Sequence, residues 1–177
     1  MLEAEVILRL AMYYIDNNLT KENVTVSIDG AHVKTGNTIH FDIFKFLTDN
    51  NFLKLDNESD RWQGVYSYNG NKSRIIIISK PGIGDVNVRL ENGKLIYVEC
   101  KKGKKDKRGQ EYPLMREAIG QVMTSCDITE DIIPMVAVPY SEKSKELAKR
   151  WSKLTQIKNL GIKFALVCED GKVSFID

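Results

Sequence analysis

Residues Arg74 to Lys101 read RIIIISKPGIGDVNVRLENGKLIYVECK, and the punctuation of this stretch decides the fold. Ile75 to Ile78 are apolar on consecutive positions. A strand of that kind is buried on both faces, which predicts Arg74–Ser79 as an interior strand of a layered sheet. Pro81-Gly82-Ile83-Gly84 is a glycine-rich turn. Asp85–Leu90 and Lys94–Lys101 then read as two more strands, joined through Glu91-Asn92-Gly93.

Upstream, Leu2, Val6, Leu10, Tyr13 and Tyr14 recur at helical spacing, and Asn17-Asn18 with Thr20 closes an opening helix. Val24–Ile28 reads as a short strand. Turn residues at Asp29-Gly30 and Gly36-Asn37 lead to a second amphipathic helix, Ile39–Leu47, ended by Asn50-Asn51. Leu53–Asn71 is polar and turn-rich, with Val65, Tyr66 and Tyr68 as an edge strand and Asn69-Gly70 as a hairpin turn. Downstream, Pro113 opens a helix to Ser125 with Leu114, Ala118, Ile119, Val122 and Met123 as its buried stripe. Ile133–Val138 is a buried strand. Ser141–Gln156 is a charged helix burying Leu147, Trp151 and Leu154, and Ile162–Cys168 with Val173–Ile176 forms a closing hairpin across Asp170-Gly171. Strands in the middle, then helix-strand-helix-strand, describe an α/β protein whose mixed sheet carries helices on both faces.

The chain has 177 residues, 42% of them hydrophobic and 28% charged, which fits one domain with a sizeable core. A net charge of +2 announces no nucleic-acid partner by itself, so electrostatic arguments rest on where charges sit. Cys100, Cys126 and Cys168 form no zinc spacing and read as free thiols. The N-terminus does not read as a signal peptide, because Glu3, Glu5 and Arg9 interrupt its apolar residues. The apolar runs are too short to span a bilayer, so a cytoplasmic protein away from membranes is expected.

Chemistry concentrates at Asp85, Glu99 and Lys101. Side chains alternate along a strand, so Glu99 and Lys101 project to one face while Cys100 leaves its carbonyl on the site side. Asp85 joins them or not according to hairpin register. A two-residue Asn92-Gly93 loop pairs Glu91 with Lys94 and puts Asp85 opposite Cys100, on the wrong face. A three-residue loop, with Gly93 in the left-handed conformation, pairs Leu90 with Lys94 and sets Asp85 opposite Glu99, with Cβ atoms about 5 Å apart. The site therefore requires the three-residue loop or a compensating bulge. Two carboxylates and the Cys100 carbonyl are hard oxygen ligands suited to Mg²⁺ or Mn²⁺, and an adjacent ammonium suits phosphodiester hydrolysis. Whether Lys101 acts as base or as cation depends on its pKa in the folded site.

Asp85 followed by Glu99-Cys100-Lys101 resembles the Asp…Glu-x-Lys signature of the PD-(D/E)xK nuclease superfamily. Here the Pro of that signature is separated from the acid by Gly82-Ile83-Gly84. Element order resembles the restriction-endonuclease-like fold from Thr38 to the C-terminus, which implies a core over 38–177 within a single domain 1–177, with residues 1–37 as an N-terminal addition. Arg116-Glu117-Ala118-Ile119-Gly120-Gln121 is similar to the helix whose glutamine faces the metal in many members, so Gln121 inherits that role and Glu117, one turn earlier, assists. The resemblance further implies a DNA endonuclease dependent on Mg²⁺ or Mn²⁺, compatible with a homodimer. A third acid from an N-terminal helix is common in the family, with Glu5 and Asp42 as candidates and Glu3 and His40 behind them.

Lys102, Lys104, Lys105, Lys107 and Arg108 leave the motif strand as a basic run where a phosphate backbone would lie. Arg116, Tyr112 and Trp62 are further candidates for nucleic-acid contact, although isolated aromatics more often pack. His32 and His40 lack metal-ligand spacing. The plain alternatives are a surface ion pair between Glu99 and Lys101, a merely solvated basic loop, and a catalytically silent nucleic-acid-binding or assembly subunit of the same fold. Substrate type, whether DNA or RNA and duplex or branched, is not set by the metal site.

Overall fold

The computed structural model describes residues 1–56, 61–103 and 110–177. Its strands are β1 (Val24–Ser27), β2 (Lys34–Thr35), β3 (Thr38–Ile39), β4 (Phe52–Lys54), β5 (Gly64–Tyr68), β6 (Arg74–Ile78), β7 (Val86–Arg89), β8 (Leu95–Cys100), β9 (Ile132–Pro139), β10 (Lys163–Val167) and β11 (Val173–Ile176). The helices are α1 (Glu3–Asp16), α2 (Gly30–Val33), α3 (Ile43–Asp49), α4 (Glu111–Ser125), α5 (Glu142–Trp151) and α6 (Thr155–Asn159). Among the described residues no helix is long and apolar enough to cross a membrane, and all three cysteines are free thiols.

Nine strands form one mixed sheet in the order β11-β10-β9-β8-β7-β1-β6-β5-β4, and β2 and β3 pair separately. β8, β9 and β10 run parallel, as do β1 and β6, while β7 is antiparallel to both of its neighbours. Alternation divides the core in two. Val86, Val88, Ile96, Val98, Met135 and Ala137 face α1 and α3, and Val136, Val138, Phe164 and Leu166 face α4 and α5.

β1 and α1 tie residues 1–37 into the domain. It lies inside the sheet, hydrogen-bonded between β6 and β7, and α1 supplies Leu8, Leu10 and Ala11, all fully buried, to the core. At roughly 1.5–3 kcal/mol per buried aliphatic side chain, this segment is part of what holds the domain together.

Several boundaries also differ from the sequence reading. The second helix starts at Ile43, not Ile39, because the Asp42 side chain caps it by accepting from the Lys45 N–H. β5 is not the edge strand, since β4 pairs outside it. β6 buries Ile75 and Ile77 fully and Ile76 and Ile78 only in part, so its second face is incompletely covered. In α4, Met115, Ala118 and Val122 form the buried stripe while Met123 is 51% exposed. The expected helix Ser141–Gln156 breaks at Leu154, whose backbone is extended and whose side chain faces solvent.

Candidate active site

The Glu91-Asn92-Gly93 loop has three residues. Gly93 holds φ +83°, its N–H donates to the Leu90 carbonyl, and Leu90 N–H donates to the Lys94 carbonyl. The β7–β8 ladder consequently pairs Val86 with Val98 at its last step, and Asp85, the residue just beyond it, lines the same cleft as Glu99. Asp85 is fixed from both sides: its N–H donates to Val98 and its carbonyl accepts from Ser27 N–H. Its carboxylate Oδ2 accepts the Cys100 N–H at 2.7 Å, standing in for a ladder bond just before β7 begins.

These groups gather in a cleft of about 580 Å³ on the α4 side of the sheet, lined by Glu3, Asp85, Glu99, Lys101, Glu117 and Gln121 among others. Glu99 and Lys101 are only 8% and 7% exposed. Buried charges of this kind persist only when paired. Lys101 Nζ lies 3.2 Å from Glu117 Oε1 and 4.0 Å from Glu3 Oε2, and these neighbours, with Asp85, raise its pKa against the opposing effect of burial. Lys101 is therefore a held ammonium. Glu99 Oε1 accepts from the Tyr97 hydroxyl at 3.1 Å. Burial pushes the Glu99 carboxyl up, while the Tyr97 hydrogen bond and Lys101 pull it down. The Asp85 carboxyl is pushed up to about 7, first by burial and then by the charges of Glu99 and Glu3, against the Cys100 N–H.

The donors available to a cation are Asp85 Oδ1, Glu99 Oε2 and the Cys100 carbonyl, which shares with its N–H the side of β8 that faces Asp85. They are hard oxygens, the set Mg²⁺ or Mn²⁺ prefers. Among the described residues no three His, Cys, Asp or Glu side chains are already drawn to metal-holding distance. Gln121 Oε1 is buried with no hydrogen-bond partner, and its side chain lines the same cleft. A buried acceptor left unmade costs about 1–3 kcal/mol, so this oxygen calls for a donor such as water.

Of the residues considered for a third ligand, Glu3 is the one that lines the cleft. Gly103 N–H donates to the Met1 carbonyl, pinning the start of α1 at the exit of β8, and Glu3 in the first turn is brought to Lys101. Glu5 instead pairs with Arg9 at 2.8 Å, Asp42 caps α3, and His40 bonds Thr35. His32 Nδ1 lies 3.2 Å from Glu3 Oε1 and lines the cleft, a neighbour its local sequence does not announce. Tyr97 was also unforeseen, although it precedes Glu99 by two positions and so shares its face. Gly84, at φ +74°, sits on the Tyr97 ring so closely that a Cβ there would lie 2.7 Å from it.

The expected nucleic-acid contacts fare differently. Lys102 lines a separate, largely apolar cavity with Glu111, Leu114 and Pro139. Arg116 lies with its guanidinium 5.5 Å from the Tyr112 ring centre, and Tyr112 packs on Trp151; neither lines the cleft. Trp62 packs against the core. Lys104, Lys105, Lys107 and Arg108 lie outside the described residues. Comparisons with family models, curated proteins and solved structures found no match.

Proposed function

We propose that this chain is a metal-dependent nuclease of the PD-(D/E)xK type, with the restriction-endonuclease-like fold, that hydrolyses phosphodiester bonds of DNA. The observation that carries this reading is that Asp85 and Glu99 line one cleft, with Lys101 two residues on from Glu99 in the same cleft. Asp85, Glu99 and the Cys100 carbonyl would hold Mg²⁺ or Mn²⁺, with Glu3 as the third acid. Bound there, the ion would neutralise phosphate charge and acidify a water.

The protein's own groups divide the remaining work. Lys101, kept protonated by Glu117 and Glu3, stabilises the negative charge that grows on the phosphoryl oxygens and is not the base. Gln121 Oε1 accepts a hydrogen bond from the attacking water and orients it. Tyr97 holds Glu99 in place by donating to Oε1. Glu117 positions Lys101 from α4.

The test is cleavage of duplex, single-stranded and branched DNA and of RNA in Mg²⁺ or Mn²⁺, with Asp85→Ala and Lys101→Ala alongside. Cleavage of a DNA substrate by the wild type and its loss in both variants is expected. Equal activity in all three proteins would overturn the reading.

A further inference from the structure

A second cavity, of about 250 Å³, lies at the carboxyl ends of the neighbouring parallel strands β8, β9 and β10. Lys102 and Gly103 follow β8, Pro139 ends β9 and Cys168 follows β10, and all four line it. So do Glu111, in the first turn of α4, and Ser141, the N-cap of α5. Open α/β sheets bind ligands in the crevice outside the carboxyl ends of their strands, and small molecules favour apolar cavities with a few polar groups. This cavity shares no lining residue with the cleft of Asp85, Glu99 and Lys101.

Its lining says what it would take. Leu114, Met115, Val138, Pro139 and Val167 supply apolar surface. A cavity of roughly 150 Å³ holds a benzene ring, so this one has room for a two-ring heterocycle. The polar group left wanting is Glu111. Its Oε1 accepts from Ser141 Oγ at 3.4 Å, longer than a good hydroxyl bond, and its Oε2 is buried with no hydrogen-bond partner. Among the described residues no cation pairs with it. An ionised carboxylate only accepts, so a ligand beside it must present donors. Guanine offers N1–H and a 2-amino N–H side by side, a two-pronged match to a carboxylate. Adenine and cytosine set a ring nitrogen acceptor beside their amino group on the same edge, and a carboxylate repels it. We propose that this cavity binds a guanine base, with its donor edge on Glu111. A free nucleoside and a base of a nucleic-acid strand share this chemistry.

The experiment is ¹⁵N–¹H NMR of the full chain in EDTA, titrated with deoxyguanosine, deoxyinosine, which lacks the 2-amino group, and deoxyadenosine. Deoxyguanosine should move the amides of Gly103, Glu111 and Glu169 saturably and leave those of Asp85 and His32, in the cleft, in place. Deoxyinosine should bind about 10-fold more weakly, for want of one hydrogen bond to a charged group, and deoxyadenosine should give no saturable shift. Glu111→Gln should weaken deoxyguanosine at least about 10-fold; if that variant does not fold, the ranking of the three nucleosides on the wild type decides. Single-stranded TTGTT, with TTTTT as control, tells the source: displacement of deoxyguanosine by the guanine-bearing strand alone assigns the cavity to a strand, and no displacement assigns it to a free nucleoside, either of which upholds the site. No saturable shift with deoxyguanosine, equal binding of all three nucleosides, shifts confined to the cleft, or unchanged affinity in folded Glu111→Gln would overturn the proposal. Because neither metal nor cleavage enters the readout, guanine binding by a protein that cuts nothing would uphold this site and sink only the nuclease reading.

Discussion

Replacing Asp85 with asparagine should stabilise the metal-free protein at neutral pH while removing its proposed chemistry. The folded-state pKa is raised from 3.8 to about 7, so the folded protein keeps this proton longer than the unfolded chain does. Between about pH 4 and pH 7 the folded state therefore binds more protons, and stability falls as pH rises. The penalty is slight below pH 4, grows through that window and levels off above pH 7. At about 1.4 kcal/mol per unit, a rise of roughly three units bounds the penalty at about 4 kcal/mol. Water at the cleft mouth screens it to about 2 kcal/mol. Asparagine keeps an oxygen for the Cys100 N–H and removes the charge. At roughly 2–4 °C per kcal/mol for a chain of this size, Asp85→Asn should melt about 4–8 °C higher at pH 8 in EDTA, with the gain vanishing toward pH 4. Scanning calorimetry between pH 4 and pH 8 measures it. A lowered Tm at pH 8, or a gain independent of pH, would refute the assignment of a buried, destabilising carboxylate. Mn²⁺ should raise the Tm of the wild type and leave that of the variant unmoved, because binding to the folded state alone is stabilising.

Three further outcomes follow from the geometry. By calorimetric titration, Glu3→Gln should weaken Mn²⁺ binding at least about 10-fold while Glu5→Gln, which only breaks the pair with Arg9, leaves it within about 2-fold; the reverse order would move the third acid to Glu5. Tyr97→Phe removes the hydroxyl that holds Glu99, a bond worth about 1 kcal/mol, and should weaken Mn²⁺ about 5-fold with the near-UV circular dichroism retained; unchanged affinity would show that Glu99 needs no anchor. Gly93→Ala and Gly84→Ala both place a Cβ at positive φ, but position 93 opens into free space and position 84 meets the Tyr97 ring. In urea melts the first should cost about 1 kcal/mol and the second clearly more, and equal costs would contradict the close packing of the turn on Tyr97.

Much of the fold was legible because its signals are local. Glu91-Asn92-Gly93 marked the loop but left a two-residue and a three-residue form open, and the structure has the three-residue form, with Gly93 at φ +83°. The limits of α3 and α5 were misjudged because caps and breaks compete with periodicity: the Asp42 side chain starts one helix late, and the extended Leu154 ends the other early. Apolar runs also mislead about burial. Ile76 and Ile78 look like core, yet their face of the sheet is only partly covered, and sequence alone does not say where helices stop covering a sheet.

Alternation along β8 is a property of neighbouring residues, so the sequence by itself determined that Glu99 and Lys101 share a face, and the structure brings Asp85 into their cleft. Only the tertiary structure decided which acid joins them and how the lysine is held. Glu3 and Glu5 lie on one helix and differ little in local context. The Gly103–Met1 hydrogen bond and the packing of α1 bring the first to Lys101 and leave the second with Arg9. The same is true of β1, whose four residues could pass for an appendage until they are seen hydrogen-bonded between β6 and β7. Contacts between residues far apart in the chain are fixed by how layers pack as a whole, and no local pattern encodes them.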